Sequence, residues 1–363
     1  MKNNNFKIEW EKWRDQELKI ISPLLNKLGF ELKEKQIHIK GERYISIGKK
    51  LILIAQRKKD NKKVIIKISK DKDEIKEIKK ERQSRKILEK INFSYRPFLS
   101  PPEILFIKKN KYYIFITEFI EQNKTFLERN LEEQFFFSLK SFDAQEGAHI
   151  TTLKHFSLIL KTFESIYAQD YLNKFKKNKN IIISFFPENK NIKNILEQSF
   201  LLLKKEQKII NLYSDFLTHW DFVPHNFRIR NNKTYLLDHS ALHFGNKYEG
   251  QARFINFMIL YNRPLEKMLL NYIKNNRSSE ELLSLKLMRI FRLEELILHY
   301  ARSIQKADSI LSNLNLERFR FWSYILEKVL KDEDISDEII NKYKKTRDSL
   351  RSTDENERQK KLH

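Results

Sequence analysis

The chain has 363 residues, 40% of them hydrophobic and 33% charged, which is enough to bury a core in two lobes and too apolar for a disordered polymer. It holds no cysteine, which rules out disulfides and thiolate-bound metal and fits a cytoplasmic protein. Seventy-one Lys and Arg against 48 Asp and Glu give a net charge of +23, a field that attracts nucleotides, nucleic acid and anionic lipid, while the lack of any run of about 18 uncharged apolar residues excludes a helical membrane span.

The N-terminus lacks a compact apolar segment with a small-residue cleavage site, so no secretory signal is expected. Ile8, Trp10, Trp13, Leu18, Ile21, Leu24, Leu25 and Leu28 form one apolar surface, which predicts a helix ended by Gly29. Its expected role is to pack as an extra helix on the elements that follow. Four short runs rich in Ile, Val and Leu, at 36–40, 43–48, 51–56 and 64–69, read as strands separated by Gly, Lys or Asp-Asn turns. The last of them, Val64-Ile65-Ile66-Lys67-Ile68, sets one lysine inside an apolar strand, where an ammonium needs a partner unless its head reaches water.

A helix is predicted over 73–91 from Ile75, Ile78, Ile87, Leu88 and Ile91, and it carries Glu77 and Glu81. Residues 111–120 read as a buried strand that leaves into an acidic stretch. A helical region is expected over 125–165, with Leu127, Leu131, Phe135 and Leu139 at four-residue spacing. The charged, Asn-rich segment 175–194 reads as a loop or insertion, followed by a helix over 195–217. Beyond the motif described next, helices are predicted at 249–260, 264–275, 279–306, 315–331 and 335–350; the third has an apolar face wide enough for burial on more than one side. The polar tail 352–363 is expected to fray.

The most informative stretch is His219-Trp220-Asp221-Phe222-Val223-Pro224-His225-Asn226, with Asp238 twelve residues later. Asp221 can accept or orient the proton of an attacking hydroxyl. Asn226 and Asp238 offer hard oxygen ligands of the kind magnesium takes. Between them Phe227, Ile229, Tyr235 and Leu237 alternate with other residues around Asn231-Asn232, which predicts a hairpin that returns Asn226 and Asp238 to the same end. Zinc is the rival chemistry, since His219, Asp221, His225, Asp238, His239 and His243 crowd the same span. That reading lacks a helical His-Glu-x-x-His pattern and leaves Asn226 without a role. The bland reading is a set of ordinary polar loop groups.

The segment resembles the catalytic loop of the aminoglycoside phosphotransferase and choline kinase group, a branch of the protein-kinase-like fold. The resemblance implies an α+β, two-lobed architecture, with a small antiparallel β lobe and a larger, mainly helical lobe. The corresponding divisions are an N-terminal helical extension at 1–30, a nucleotide-binding lobe at 31–120, a catalytic and substrate lobe at 121–351, and a flexible tail at 352–363. It implies ATP and magnesium as cofactors and a small-molecule hydroxyl acceptor. Asp221 takes the catalytic position, and Asn226 and Asp238 take the metal positions. Lys67 becomes the strand lysine that contacts phosphates and pairs with a helix glutamate, for which Glu81 is preferred to Glu77. Thr117, Glu118, Phe119 and Ile120 fall at the hinge that meets adenine through its backbone. His219 is expected to hold the loop by a hydrogen bond.

Three departures accompany the likeness. The chain has only six glycines and no glycine-rich loop, so Gly48-Lys49-Lys50 is the sole candidate to cover phosphates. Asp238-His239-Ser240 replaces the usual residues after the metal aspartate, and Gln251-Ala252-Arg253-Phe254 occupies a neighbourhood where the group carries a further aspartate. Aminoglycosides are polycations, which a strongly positive protein steers away unless its pocket is locally acidic. The alternative is a catalytically inactive kinase-like protein that binds nucleic acid or a protein partner through its basic surface. Nucleic acid is not favoured, because the lysines are mixed with Asp and Glu and no aromatic-interleaved basic tract is present.

Overall fold

The computed structural model describes residues 4–33, 35–45, 48–90, 99–147 and 153–362. Helix α1 (Asn4–Lys27) ends at Gly29, whose φ of 87° turns the chain into β1 (Phe30–Leu32). Strands β2 (Leu51–Arg57) and β3 (Lys63–Ser69) follow, then α2 (Lys72–Lys90), β4 (Glu103–Lys109) and β5 (Tyr112–Glu118). They form one antiparallel sheet in the order β1-β2-β3-β5-β4.

Period-two patterning divides the sheet's faces. Leu51, Leu53, Ala55, Val64, Ile66 and Ile68 are buried on one side and cluster with Ile21 and Leu25 of α1. Ile52, Ile65 and Lys67 point to the opposite side and line a cleft. The expected packing of the first helix on this sheet is therefore observed.

The strands expected at 36–40 and 43–48 are instead 3₁₀ turns, Ile37–Ile39 and Gly41–Ile45, and Ser46 and Ile47 lie outside the described residues. The reason is a side chain. Gln36 Nε2 donates to the Ile54 carbonyl (2.7 Å) and Gln36 Oε1 accepts from the Ile54 amide (2.9 Å). Its carboxamide thus occupies the edge of β2 as a neighbouring peptide would, and the chain is released from extension. Strand β4 has no counterpart among the expected elements. The predicted end of α2 at Ile91 also falls outside the described residues.

The second part contains α3 (Leu131–Gly147), α4 (Leu153–Thr162), α5 (Ala168–Phe185), α6 (Lys190–Lys205) and α7 (Gln207–Leu212). Strand β6 (Phe216–His219) pairs antiparallel with β9 (Leu242–Gly245), and the hairpin β7 (Phe227–Arg230) and β8 (Lys233–Leu236) lies between them in sequence. Six helices complete it: α8 (Tyr248–Tyr261), α9 (Arg263–Asn276), α10 (Ser279–Ile304), α11 (Ser309–Leu330), α12 (Asp337–Leu350) and α13 (Thr353–Leu362). Their core is separate from that of the sheet.

Three expectations are corrected here. Segment 175–194 is not a loop, because α5 and α6 occupy most of it; Phe175, Ile182, Ile192, Ile195 and Leu196 face the core, and most of the Lys and Asn residues, Asn178 and Lys179 excepted, cover the outer faces. The single helix over 195–217 is broken at Glu206, and Phe216 already belongs to β6. The tail does not fray: α13 seats a fully buried Glu355, whose Oε2 accepts the Glu42 amide (3.0 Å).

Candidate active site

Strand β6 delivers His219 to a fully buried position, where its two ring nitrogens tie the loop together. Nδ1 accepts the Asp221 amide (3.1 Å), so Nε2 is the protonated nitrogen and donates to the Asp238 carbonyl (3.0 Å). This is the loop-holding role expected of it. Beneath the loop, Phe222, Phe227 and Phe254 pack with ring centroids 5.6–6.2 Å apart.

The hairpin has the predicted form. Asn231 and Asn232 have φ of 51° and 56°, the conformation a two-residue turn between Arg230 and Lys233 requires. The Leu237 amide donates to the Asn226 carbonyl (2.7 Å), which closes the base of the hairpin and brings Asp238 back beside Asn226. Asp238 adopts a left-handed conformation (φ 50°, ψ 58°), and its Oδ1 accepts from Ser240 Oγ (2.6 Å).

Asn226 Nδ2 donates to the carbonyl (2.7 Å) and Oδ2 (3.0 Å) of Asp221. That fixes the amide orientation and turns its oxygen away from Asp221. Lys67 Nζ lies 2.6 Å from Glu81 Oε2 and 3.8 Å from Asp238 Oδ1. The strand lysine thus bridges helix α2 and the hairpin. Glu77, the competing carboxylate, bonds Lys50 instead.

Thr117, Glu118, Phe119 and Ile120 line the same cleft of about 190 Å³ as Lys67, Glu81, Asn226 and Asp238. Ile52, Ile65 and Leu237 give it apolar walls. The Glu118 and Phe119 amides are bonded to the carbonyls of Pro102 and Lys63. Asp221 lies outside this cleft and opens onto a neighbouring cavity of about 490 Å³; His225 lines both.

The charges are strongly perturbed. Burial pushes the Asp221 carboxyl up, but the Arg253 guanidinium and His225 outweigh it and hold the group well below the usual carboxylate range. Burial likewise pushes Asp238 up, and Lys67, the Ser240 bond and Lys50 bring it far below that range. Burial keeps His219 below its ordinary value despite both aspartates. Burial and then Arg228, Arg358 and Arg43 push His38 at the cleft wall down to about 4.

Three basic residues, Arg253, Arg228 and Arg43, were given no role by the sequence reading. Arg253 of α8 grips Asp221 Oδ1 through Nε (3.0 Å) and Nη2 (2.9 Å). Arg228 lines the cleft that holds Lys67, and Arg43, together with Lys50 of the expected Gly48-Lys49-Lys50 segment, approaches Asp238 from the turn region before β2. The only signal for Arg253 was its place in the stretch where a further aspartate was expected. The imidazoles that suggested zinc are engaged separately: His239 Nε2 with Ser100 Oγ (3.0 Å) and His243 Nε2 with Glu249 (2.8 Å). Among the described residues no group of three His, Cys, Asp or Glu side chains is placed to share an ion.

Solved structures share this arrangement of elements. A thermostable mutant of aminoglycoside phosphotransferase APH(4)-Ia, in ternary complex with ADP and hygromycin B, superposes with a TM-score of 0.56 at 10% identity, over 80% of this chain and 92% of that one. The chain has the aminoglycoside phosphotransferase fold, a protein-kinase-like one. ADP-bound APH(2'')-Ib superposes at 0.52 with 13% identity, over 80% of this chain and 96% of that one. Macrolide 2'-phosphotransferase type I gives 0.53 with 14% identity, over 85% and 96%. No family model and no curated protein sequence matches the chain.

Proposed function

We propose that the protein is an ATP-dependent phosphotransferase that moves the γ-phosphate to a hydroxyl of a small-molecule acceptor. The observation that carries this reading is the junction itself. Lys67, Glu81, Asn226 and Asp238 line a cleft with apolar walls, His225 is shared between it and a second cavity, and Asp221, bonded to Asn226, lines that second cavity.

In this reading the nucleotide lies under the sheet, with adenine between Ile52, Ile65 and Leu237 and against the backbone of residues 117–120. Lys67, held by Glu81, takes the phosphates. Asn226 and Asp238 would hold magnesium. The donor set fits: one amide oxygen turned free by the bond of Asn226 to Asp221, and one carboxylate that stays ionised. Bound there, the ion supplies charge neutralisation at the β and γ phosphates. Asp221 orients the acceptor hydroxyl. The acceptor oxygen bonds to the γ phosphorus and the bond from that phosphorus to the β,γ-bridging oxygen breaks. ADP leaves with the electron pair, and the hydroxyl proton passes to Asp221 and on to water. The cysteine-free chain is assigned to the cytoplasm, where ATP is made; among the described residues no helix is long and apolar enough to cross a membrane.

The test is Asp221→Asn. Acceptor-free hydrolysis of Mg·ATP should fall by about 10²–10⁴, while binding of Mg·AMP-PNP by calorimetry stays within about threefold of the parent. Undiminished hydrolysis removes the assigned role.

A further inference from the structure

The cavity onto which Asp221 opens is walled by arginine. Arg253, Arg292, Arg318, Arg347, Arg351 and Arg358 all line it, and among the described residues no lysine does. The chain has 20 arginines and 51 lysines, so a wall of six arginines runs against its own composition. Guanidinium is the group suited to planar, two-point recognition of carboxylate and phosphate, and it keeps its charge when buried.

A second observation concerns the carboxylates. Four line the same wall, and each is already bonded to an arginine. Asp221 is held by Arg253 (2.9 Å), Glu42 by Arg318 (2.7 Å), Glu355 by Arg358 (2.8 Å) and Glu295 by Arg292. A polyamine entering the cavity therefore meets no uncommitted carboxylate in this wall. Two guanidiniums remain, and they share Asp348 at the rim: Arg347 at 2.8 Å and Arg351 at 3.8 Å. Four buried donors on wall residues, Arg292 Nε, Asn315 Nδ2, Trp322 Nε1 and Arg351 Nε, have no hydrogen-bond acceptor among the described residues. Buried donors without acceptors are costly, so the wall is richer in donors than in acceptors.

The third observation extends the surface. An adjoining cavity of about 560 Å³ shares Ile45, Glu295, His299 and Ser303 with the first. Arg43, Arg302 and Lys306 line it and form no ion pair among the described residues. The two carboxylates of that wall nearest β2, Glu74 and Glu77, are bonded to Lys50.

The geometry points to an acidic acceptor: a hydroxyl compound carrying a phosphate or carboxylate group, bound by Arg347, Arg351 and Arg302 with its hydroxyl presented to Asp221. The inference rests on the phosphotransferase reading and adds the acceptor's charge. The transfer balances as above, with ADP as leaving group and the acidic group of the acceptor unchanged. Hygromycin B, the ligand in one neighbour, carries amines, and the paired wall described here is unsuited to a polycation.

The test uses four hexoses that differ mainly in charge: glucose, glucosamine, glucuronate and glucose 6-phosphate. Each is titrated by calorimetry into the full chain with Mg·AMP-PNP saturating the nucleotide cleft. At least one anionic hexose is expected to bind about tenfold or more tightly than glucose, with glucosamine no tighter than glucose. Which of the two anions wins separates phosphate from carboxylate. The advantage should shrink about tenfold in R347Q/R351Q, and also in R302Q, which loses no intramolecular bond. A flat series, a preference for glucosamine, or an anionic advantage that survives all three substitutions overturns the proposal. Failure of Mg·AMP-PNP to bind would instead strike the phosphotransferase reading; the hexose series run without nucleotide would still decide the charge of the cavity.

Discussion

Lys67 sits between two carboxylates from different parts of the chain, and its ammonium is mostly shielded from water. Replacing it with Met leaves Glu81, a side chain only 7% exposed, as a buried charge without its partner. Breaking such a pair from one side costs about 3–5 kcal/mol. Urea unfolding of Lys67→Met should show a loss of that order, and adding Glu81→Gln should recover part of it. Mg·AMP-PNP binding should not recover, because the phosphate contact is gone in both variants. Recovery of binding together with stability would make Lys67 a structural residue only. Lys67 was legible only through the resemblance carried by the downstream motif, because a lysine in an apolar strand can also keep its head in water. Arg253 was not, because its meaning depends on a carboxylate 32 positions away across the fold. Gln36 was equally opaque, since no local pattern marks a carboxamide that will stand in for a strand.

At the level of elements, the legible features were those whose signal is local. The β7–β8 hairpin combines alternation with an Asn-Asn turn, and helix α10 opens with a capping box in which Ser278 and Glu281 satisfy each other's amides. Helices α5 and α6 were hidden by their many Lys and Asn residues, most of which sit on outer faces and mask the apolar period, though Asn178 and Lys179 are buried. Helix α10 is buried on several sides, and this puts Glu294 in a fully buried position where Asn178 of α5 donates to Oε2 (3.1 Å) and Oε1 has no partner. Burial pushes its carboxyl well above the ordinary value. A raised carboxyl gives stability that is present below its unfolded value and lost as pH rises toward the folded one. Each unit of that rise costs about 1.4 kcal/mol once the group is ionised in the unfolded chain. Glu294→Gln should therefore raise the urea midpoint at pH 8, with the gain shrinking as pH falls toward 4.5. A gain independent of pH would show that packing, not the proton, is responsible.

In the molecule as a whole there are, among the described residues, two large cores, one under the sheet and one among the helices, and a small third cluster in which Tyr44 and Ile45 meet Ala307, Leu311 and Leu314. That division was readable because strands cluster before residue 120 and helical periods after it. How the two parts are tied was not readable, because the ties span nearly the full chain. Arg318 of α11 grips Glu42 in the turn after Gly41, and Glu355 of α13 accepts the Glu42 amide. Gly41 makes this contact possible twice over. Its φ is 63°, and a methyl group there would lie 2.5 Å from Glu355 Oε2 and 3.3 Å from Glu355 Cα. Gly41→Ala should then carry two penalties, about 1–2 kcal/mol for the left-handed backbone and a further one for displacing α13. The two can be separated in a cycle with a chain truncated after Ser352. Without α13 only the backbone penalty remains, so the alanine should cost less in the truncated chain than in the full one. Equal costs in both backgrounds would mean that α13 does not press on this turn. The truncated chain also lacks Glu355 and Arg358, so the Glu42 amide would lose its acceptor while the Glu42 carboxylate kept Arg318, and the cavity beside Asp221 would open on that side without touching Lys67, Asn226 or Asp238.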